Sequence, residues 1–297
     1  MENSRYNQKR QNVKELMVTA AELRRGLVDL TIASGNIGGH VGGSLSIMDV
    51  VAAIYFRNLN YDPTNPCWDD RDRFILSKGH AAMGYYVVLA KAGFFPMNEL
   101  LTTYNQLDSR FGKHCDMNKT PGIDGCGGSL GHGLSIGIGM ALAARYQNKP
   151  YRVYVMMGDG ELMEGSVWEA AMAAPRFGLG NLIAIVDRNK FCIDDDTEKI
   201  IPLEPLTEKW RDFHWNVVEI DGHDMQQIVD TLDNLPSPDS NVPTVIISQS
   251  IKGKGISLWE GDCWFHYGDL IDPKEQEIAI KETEKALELA NQALQRE

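Results

Sequence analysis

The sequence predicts an α/β fold, a doubly wound and mostly parallel sheet with helices on both faces, and three observations predict it. Residues 153–157 and 182–186 are short, uninterrupted apolar runs, the pattern of strands buried on both faces. Each run stops abruptly in a polar turn, Gly158-Asp159-Gly160 after the first and Asp187-Arg188-Asn189 after the second. Between them lies a stretch of helix formers, residues 164–176, ended by Pro175 and Gly178. Such a strand–helix–strand unit is right-handed and brings both strand ends to one edge of the sheet, so Asp159 and Asn189 meet at the edge where α/β proteins hold ligands.

The other elements follow in order. Beyond a loose polar start over residues 1–9, Leu16, Met17, Ala20, Leu23, Leu27 and Leu30 keep helical spacing until Gly35. The glycine-rich turn SGNIGGHVGGSLS opens a helix through Met48, Val51, Ile54 and Tyr55. The stretch 70–80, DRDRFILSKGH, reads as charged loop, short strand and polar turn; residues 81–92 and 98–104 read as helices. No periodicity survives over residues 108–129, and long ordered loops in compact domains are usually functional. Residues 133–146 form a helix rich in glycine and alanine, and 191–203 an acidic loop. A short helix over 206–213, a strand over 217–220, an amphipathic helix over 225–235 and a last strand over 244–248 follow. The loop SIKGKG leads past His266 to a charged helix from Pro273. With no repeat or composition break, a single domain over 1–270 with a helical tail over 271–297 is expected.

Composition narrows the function. Of 297 residues 43% are hydrophobic, ample for a core, while the formal charge of −12 argues against nucleic acid or an anionic membrane as partner. No run approaches the roughly 18 apolar residues of a membrane span. The N-terminus lacks a signal-peptide apolar region. Five cysteines without a C-x-x-C pair fit reduced thiols and a cytoplasmic location.

Asp159 and Asn189 are hard oxygen ligands beside a glycine turn that exposes backbone N–H groups, which together describe a Mg²⁺–diphosphate site. Five of the seven histidines, His40, His80, His114, His132 and His266, stand in glycine-rich turns at element ends. Glycine lets a ligand approach the backbone, and imidazole serves phosphate and hydroxyl groups near neutral pH.

Taken together these motifs resemble the transketolase family across nearly the whole chain. GDG closed by N one strand–helix–strand unit later is similar to its thiamine diphosphate signature. RDRFILSKGHA over 71–81 is similar to its R-D-R-F-x-L-S-x-G-H-A motif, and SGNIGGHVGG to S-G-H-P-G with four extra residues and no proline. Gly112-Lys113-His114 stands at its G-H, GSLGHG at its G-P/S-L-G-Q-G with His132 where glutamine is common, and His266 after its K-G-x-G loop. The resemblance implies the thiamine diphosphate-binding fold, here its diphosphate-binding domain. It implies thiamine diphosphate with Mg²⁺, or another divalent cation such as Ca²⁺, coordinated by Asp159, the Asn189 side chain and the Phe191 carbonyl. Gly158, Gly160, Glu161, His80 and His266 would serve the diphosphate side, and Gly128, Ser129 and Leu130 the aminopyrimidine ring. His40 and His114, with His80 and His266, would form the catalytic set, the first two lining the path to the thiazolium carbon and binding sugar hydroxyls. Glu164 and Glu169 would face a partner chain.

In that family the glutamate that activates the cofactor, and the arginines that grip a sugar phosphate, come from a pyrimidine-binding domain. Too few residues follow Ser248 to hold one. The expectation is therefore the N-terminal half of a split transketolase, inactive alone, working with a C-terminal subunit in an α2β2 assembly and moving a two-carbon ketol unit between sugars or sugar phosphates. The alternative enzyme is one chain of a 2-oxo-acid dehydrogenase or thiamine-dependent synthase, and a cofactor-binding partner without turnover is the non-enzyme reading.

Overall fold

The computed structural model describes residues 10–296, so the polar start over 1–9 lies outside the described residues. Five strands, β1 (Arg73–Leu76), β2 (Val153–Gly158), β3 (Leu182–Arg188), β4 (Asn216–Asp221) and β5 (Thr244–Gln249), form one sheet. Their order is β1-β2-β3-β5-β4 and every pairing is parallel. Side chains alternate across β2 and β3. Tyr154, Met156, Ile183 and Ile185 enter one core, while Val153, Val155, Met157, Leu182, Ala184 and Val186 enter the other. That two-sided burial is why these strands read as unbroken apolar runs. Each fully buried aliphatic side chain contributes roughly 1.5–3 kcal/mol.

The first core is covered by α1 (Val13–Ala33), with α2 (Gly42–Leu45) and α3 (Met48–Ala53) following it, then α4 (Ala82–Lys91) and α5 (Met97–Thr103). The second is covered by α6 (Gly133–Tyr146) and α7 (Gly165–Arg176). Helices α8 (Thr197–Ile200), α9 (Leu206–Asp212) and α10 (Met225–Asp233) follow, and the last helix, α11 (Pro273–Gln295), lies along α1. Asn12 and Glu15 cap α1 reciprocally. Ala279 and Thr283 of α11 are buried, and Arg25 of α1 pairs with Glu284 at 2.6 Å.

Three local features depart from the sequence reading. Helix α7 carries Pro175 inside its last turn instead of stopping before it. Proline has no N–H for the Ala171 carbonyl, and the Trp215 indole donates to that carbonyl at 2.8 Å instead. The helix expected through Met48 to Tyr55 is present, but its α-helical part, α3, passes at Ile54 into a wider π-helical turn over Ile54–Asn58, and the glycine-rich turn before it already contains the short helix α2. The acidic loop contains α8, whose N-cap Asp196 accepts from the Glu198 N–H at 2.7 Å.

Candidate functional site

The carboxyl ends of β1, β2, β3 and β5 converge with the turns carrying His40, His114 and His266. Two close approaches fix the geometry. A β-carbon on Gly79 would lie 1.9 Å from the Gly127 carbonyl oxygen, so the 125–131 loop is pressed backbone to backbone on the turn that carries His80. A β-carbon on Gly43 would lie 3.3 Å from both Lys78 Nζ and His80 Nε2, so glycine there lets those groups reach the α2 backbone.

The histidines form one cluster. The His40 ring centre lies 5.4 Å from His80, 5.9 Å from His114 and 5.2 Å from His266, and His80 lies 4.9 Å from His266. Burial, then the neighbouring His114 and Lys113, lower the pKa of His40 to about 4. Burial, then Lys252 and His40, lower that of His266 to about 3, and burial with Lys78 pushes His80 well down as well. Three of the four are therefore held neutral at physiological pH, ready to donate from one nitrogen and accept at the other. Because each folded value lies below the unfolded one, these groups contribute stability that is present above pH 6.5 and lost as pH falls toward 4 for His40 and toward 3 for His266. The melting temperature should fall across that window, and His266→Gln should make the fall shallower. An unchanged slope would contradict the neutral cluster.

Beneath the histidines lies a cationic floor. Lys78 and Asp187, each 1% exposed, pair at 2.5 Å. Burial works to raise the Asp187 pKa, but Lys78 and hydrogen bonds from Ser250 and Asn189 outweigh it and hold the carboxyl low. Lys252 is also 1% exposed, yet its ammonium donates only to the carbonyls of Cys192 at 3.0 Å and Cys263 at 3.4 Å. It has no carboxylate partner among the described residues. Burial, then Lys78, lower its pKa. A buried cation without a counter-ion is costly unless an anion joins it.

The acidic turn gives the other half. Asp159, 1% exposed, accepts from Gly160 N at 2.8 Å through one oxygen, and from Arg188 Nη1 at 3.0 Å and Lys190 N at 2.6 Å through the other. Burial and the nearby Asp187 raise its pKa to about 6 despite Arg188. The Asn189 side-chain oxygen faces Phe191 N at 3.1 Å. The Phe191 carbonyl faces Gly160, 3.9 Å from where a β-carbon there would stand. One carboxylate, one amide and one carbonyl are a hard oxygen set that fits Mg²⁺ or Ca²⁺ completed by ligand oxygens. Among the described residues no three His, Cys, Asp or Glu side chains converge to hold a metal alone.

Glu161 is buried, and its carboxylate accepts from Ser77 Oγ, from Gly131 N at 2.9 Å and from Gly158 N at 3.1 Å. It clamps three turns together, with both oxygens already used. Gly128 and Ser129 are exposed and Leu130 half-buried on the rim. Glu164 and Glu169 are exposed, and His132 is exposed at the start of α6. His223 is bonded to the Asp49 carboxylate at 2.8 Å and to Ile251 N at 2.9 Å. Sequence reasoning left out Lys78, Lys252, Asp187 and Arg188. Lys78 and Lys252 carried one available signal, since each stands in a glycine turn directly after an apolar strand.

The family model described as "Transketolase, thiamine diphosphate binding domain" matches residues 18–292. The 6-deoxy-6-sulfo-D-fructose transketolase subunit of Clostridium sp. (strain MSTE9) is 47% identical over 252 residues, covering 84% of this chain and 90% of that protein. One subunit of the apulose-4-phosphate transketolase of Actinobacillus succinogenes is 42% identical over 272 residues, 90% of this chain and 95% of its own length. Transketolase from Pichia stipitis in complex with sedoheptulose-7-phosphate superposes with a TM-score of 0.78 at 27% identity, covering 93% of this chain. The chain spans 45% of that solved protein.

Proposed function

This chain belongs to the transketolase family, as a thiamine diphosphate-binding domain, and on that premise we propose that it is the N-terminal subunit of a split transketolase. It transfers a two-carbon ketol unit from a ketose to an aldose when a second chain supplies the pyrimidine-binding domain. The observation that carries this reading is Lys252, a buried ammonium bonded only to carbonyls beside Lys78 and a cluster of neutral imidazoles. A diphosphate is the anion such a floor lacks.

In this reading Lys252, Lys78, His80 and His266 hold the diphosphate, with Gly158 and Gly160 at the turn. Asp159, the Asn189 side chain and the Phe191 carbonyl hold Mg²⁺ or Ca²⁺. Thiamine diphosphate, when bound, supplies the nucleophilic carbon and the electron sink. The protein supplies the rest. Neutral His40, with His114 beside it, accepts and returns protons at the sugar hydroxyls, as imidazole does when held within hydrogen-bond reach. Glu161 keeps three turns in register, and Gly128, Ser129 and Leu130 form the rim on which the aminopyrimidine rests. Exposed Glu164 and Glu169 lie toward the partner, and the assembly is α2β2. Residues 1–270 are the diphosphate-binding unit and 271–297 its helical tail, of which α11 lies along α1.

The names of the two relatives support a partner, since both are subunits of larger enzymes and this chain covers nine-tenths or more of each. They also support a sugar ending in an oxyanion, since one relative is named for a sulfonated ketose and the other for a ketose phosphate. No helix among the described residues is long and apolar enough to cross a membrane. Mixing the chain with its pyrimidine-domain partner, thiamine diphosphate and Mg²⁺ should transfer a ketol unit from a ketose phosphate to an aldose. Release of CO₂ from a 2-oxo acid in place of that transfer would overturn the reading.

A further inference from the structure

Two residues at the rim of the histidine cluster serve neither diphosphate binding nor proton transfer. Lys113 Nζ donates to the Tyr267 hydroxyl at 2.5 Å and lies 4.8 Å from the centre of that ring. The Tyr267 hydroxyl in turn donates to the Ile37 carbonyl, and its ring stands edge-on to His40 at 5.1 Å. The segment carrying Tyr267 is fixed by paired backbone hydrogen bonds between Gly39 and Gly268, 2.9 Å in each direction. An ordinary surface lysine keeps its side-chain freedom. Lys113 is half-buried and tied to a frame that also positions His40.

Its charge is unanswered. No carboxylate pairs with Lys113 among the described residues. An ammonium has three donors, and only one is taken here. That charge is felt inside the site, since Lys113 is among the groups that depress His40. Lys113 also directly precedes His114 in the chain. A sugar whose reacting end lies among His40, His114 and His266 would carry its far end outward past this rim.

We propose that Lys113, held in place by Tyr267, is a specificity-determining residue that binds the terminal oxyanion of the sugar substrate, a phosphate or a sulfonate. This rests on the transferase reading above and names the substrate class for the same site.

The test uses the assembly reconstituted with its pyrimidine-domain partner, saturated with thiamine diphosphate and Mg²⁺. The probes are a ketohexose 6-phosphate, the matching 6-deoxy-6-sulfonate and the unsubstituted ketohexose. Lys113→Gln should lower kcat/KM for the preferred anionic sugar about ten- to hundredfold, mainly through KM, as expected for losing one charge-assisted hydrogen bond. The preference for anionic over unsubstituted sugar should collapse by a similar factor, and the larger loss identifies phosphate or sulfonate. Tyr267→Phe should act in the same direction more weakly, and Lys113→Arg should restore most of the preference. Equal losses on all three sugars, no loss on any, or a loss of cofactor affinity or of association with the partner chain would overturn the assignment. If the wild-type assembly transfers no ketol unit from any sugar, the transferase reading fails, and this assignment with it.

Discussion

Asp159→Ala should abolish Mg²⁺-dependent retention of thiamine diphosphate and leave the chain folded. Asp159 is the one carboxylate in the oxygen set formed with Asn189 and Phe191, so its loss removes the only full negative charge offered to the metal. The fold should survive because Arg188 keeps Thr197 at 2.7 Å, Glu198 at 2.7 Å and Glu204 at 3.0 Å after Asp159 is gone. Burial already strains this carboxyl, with its pKa raised to about 6, so the metal-free chain gives up little by losing it. Calorimetric titration should show affinity reduced by more than about a hundredfold, beyond the 10–100-fold typical of groups that only support a ligand. Unchanged retention would remove Asp159 from the site.

Lys252→Met should act in opposite directions on stability and on binding. In the cofactor-free chain the substitution replaces a buried, uncompensated ammonium with an apolar side chain of similar length. Removing a lone buried charge is neutral or stabilising. The melting temperature without cofactor should stay level or rise. Diphosphate affinity should fall by about ten- to hundredfold, the loss of one charge-assisted hydrogen bond. Differential scanning calorimetry with and without inorganic diphosphate separates the two effects. A variant that is less stable and still binds diphosphate normally would show that Lys252 merely ties the carbonyls of Cys192 and Cys263 together.

Most of this architecture was legible because strands buried on both faces must be continuously apolar. The strand–helix–strand order then forces Asp159 and Asn189 to one edge. The glycine- and alanine-rich stretch reads as a helix over residues 133–146, and those are the bounds of α6. Local chemistry hid the rest. Pro175 sits inside the helix, and the Ala171 carbonyl it leaves unpaired accepts from Trp215, distant in sequence. His40, His80, His114 and His266 could be grouped from their shared glycine-turn setting, although that setting also draws in His132, which stands exposed at the start of α6. Burial of Lys78 and Lys252 could not, since a lysine in a polar turn reads as solvated until the fold closes over it. The resemblance implies a cofactor contact for Glu161, whereas its carboxylate is spent on Ser77, Gly131 and Gly158. Arg188 inside D-R-N reads as a plain turn residue, although its guanidinium secures Asp159.

In the proposed assembly a second chain completes the site. The direct measurement is ketol transfer from a ketose phosphate as the pyrimidine-domain partner is titrated into this chain under saturating thiamine diphosphate and Mg²⁺. No turnover by the chain alone, rising to a plateau at one partner per chain, is the predicted result. Turnover by the purified chain without any partner would contradict it.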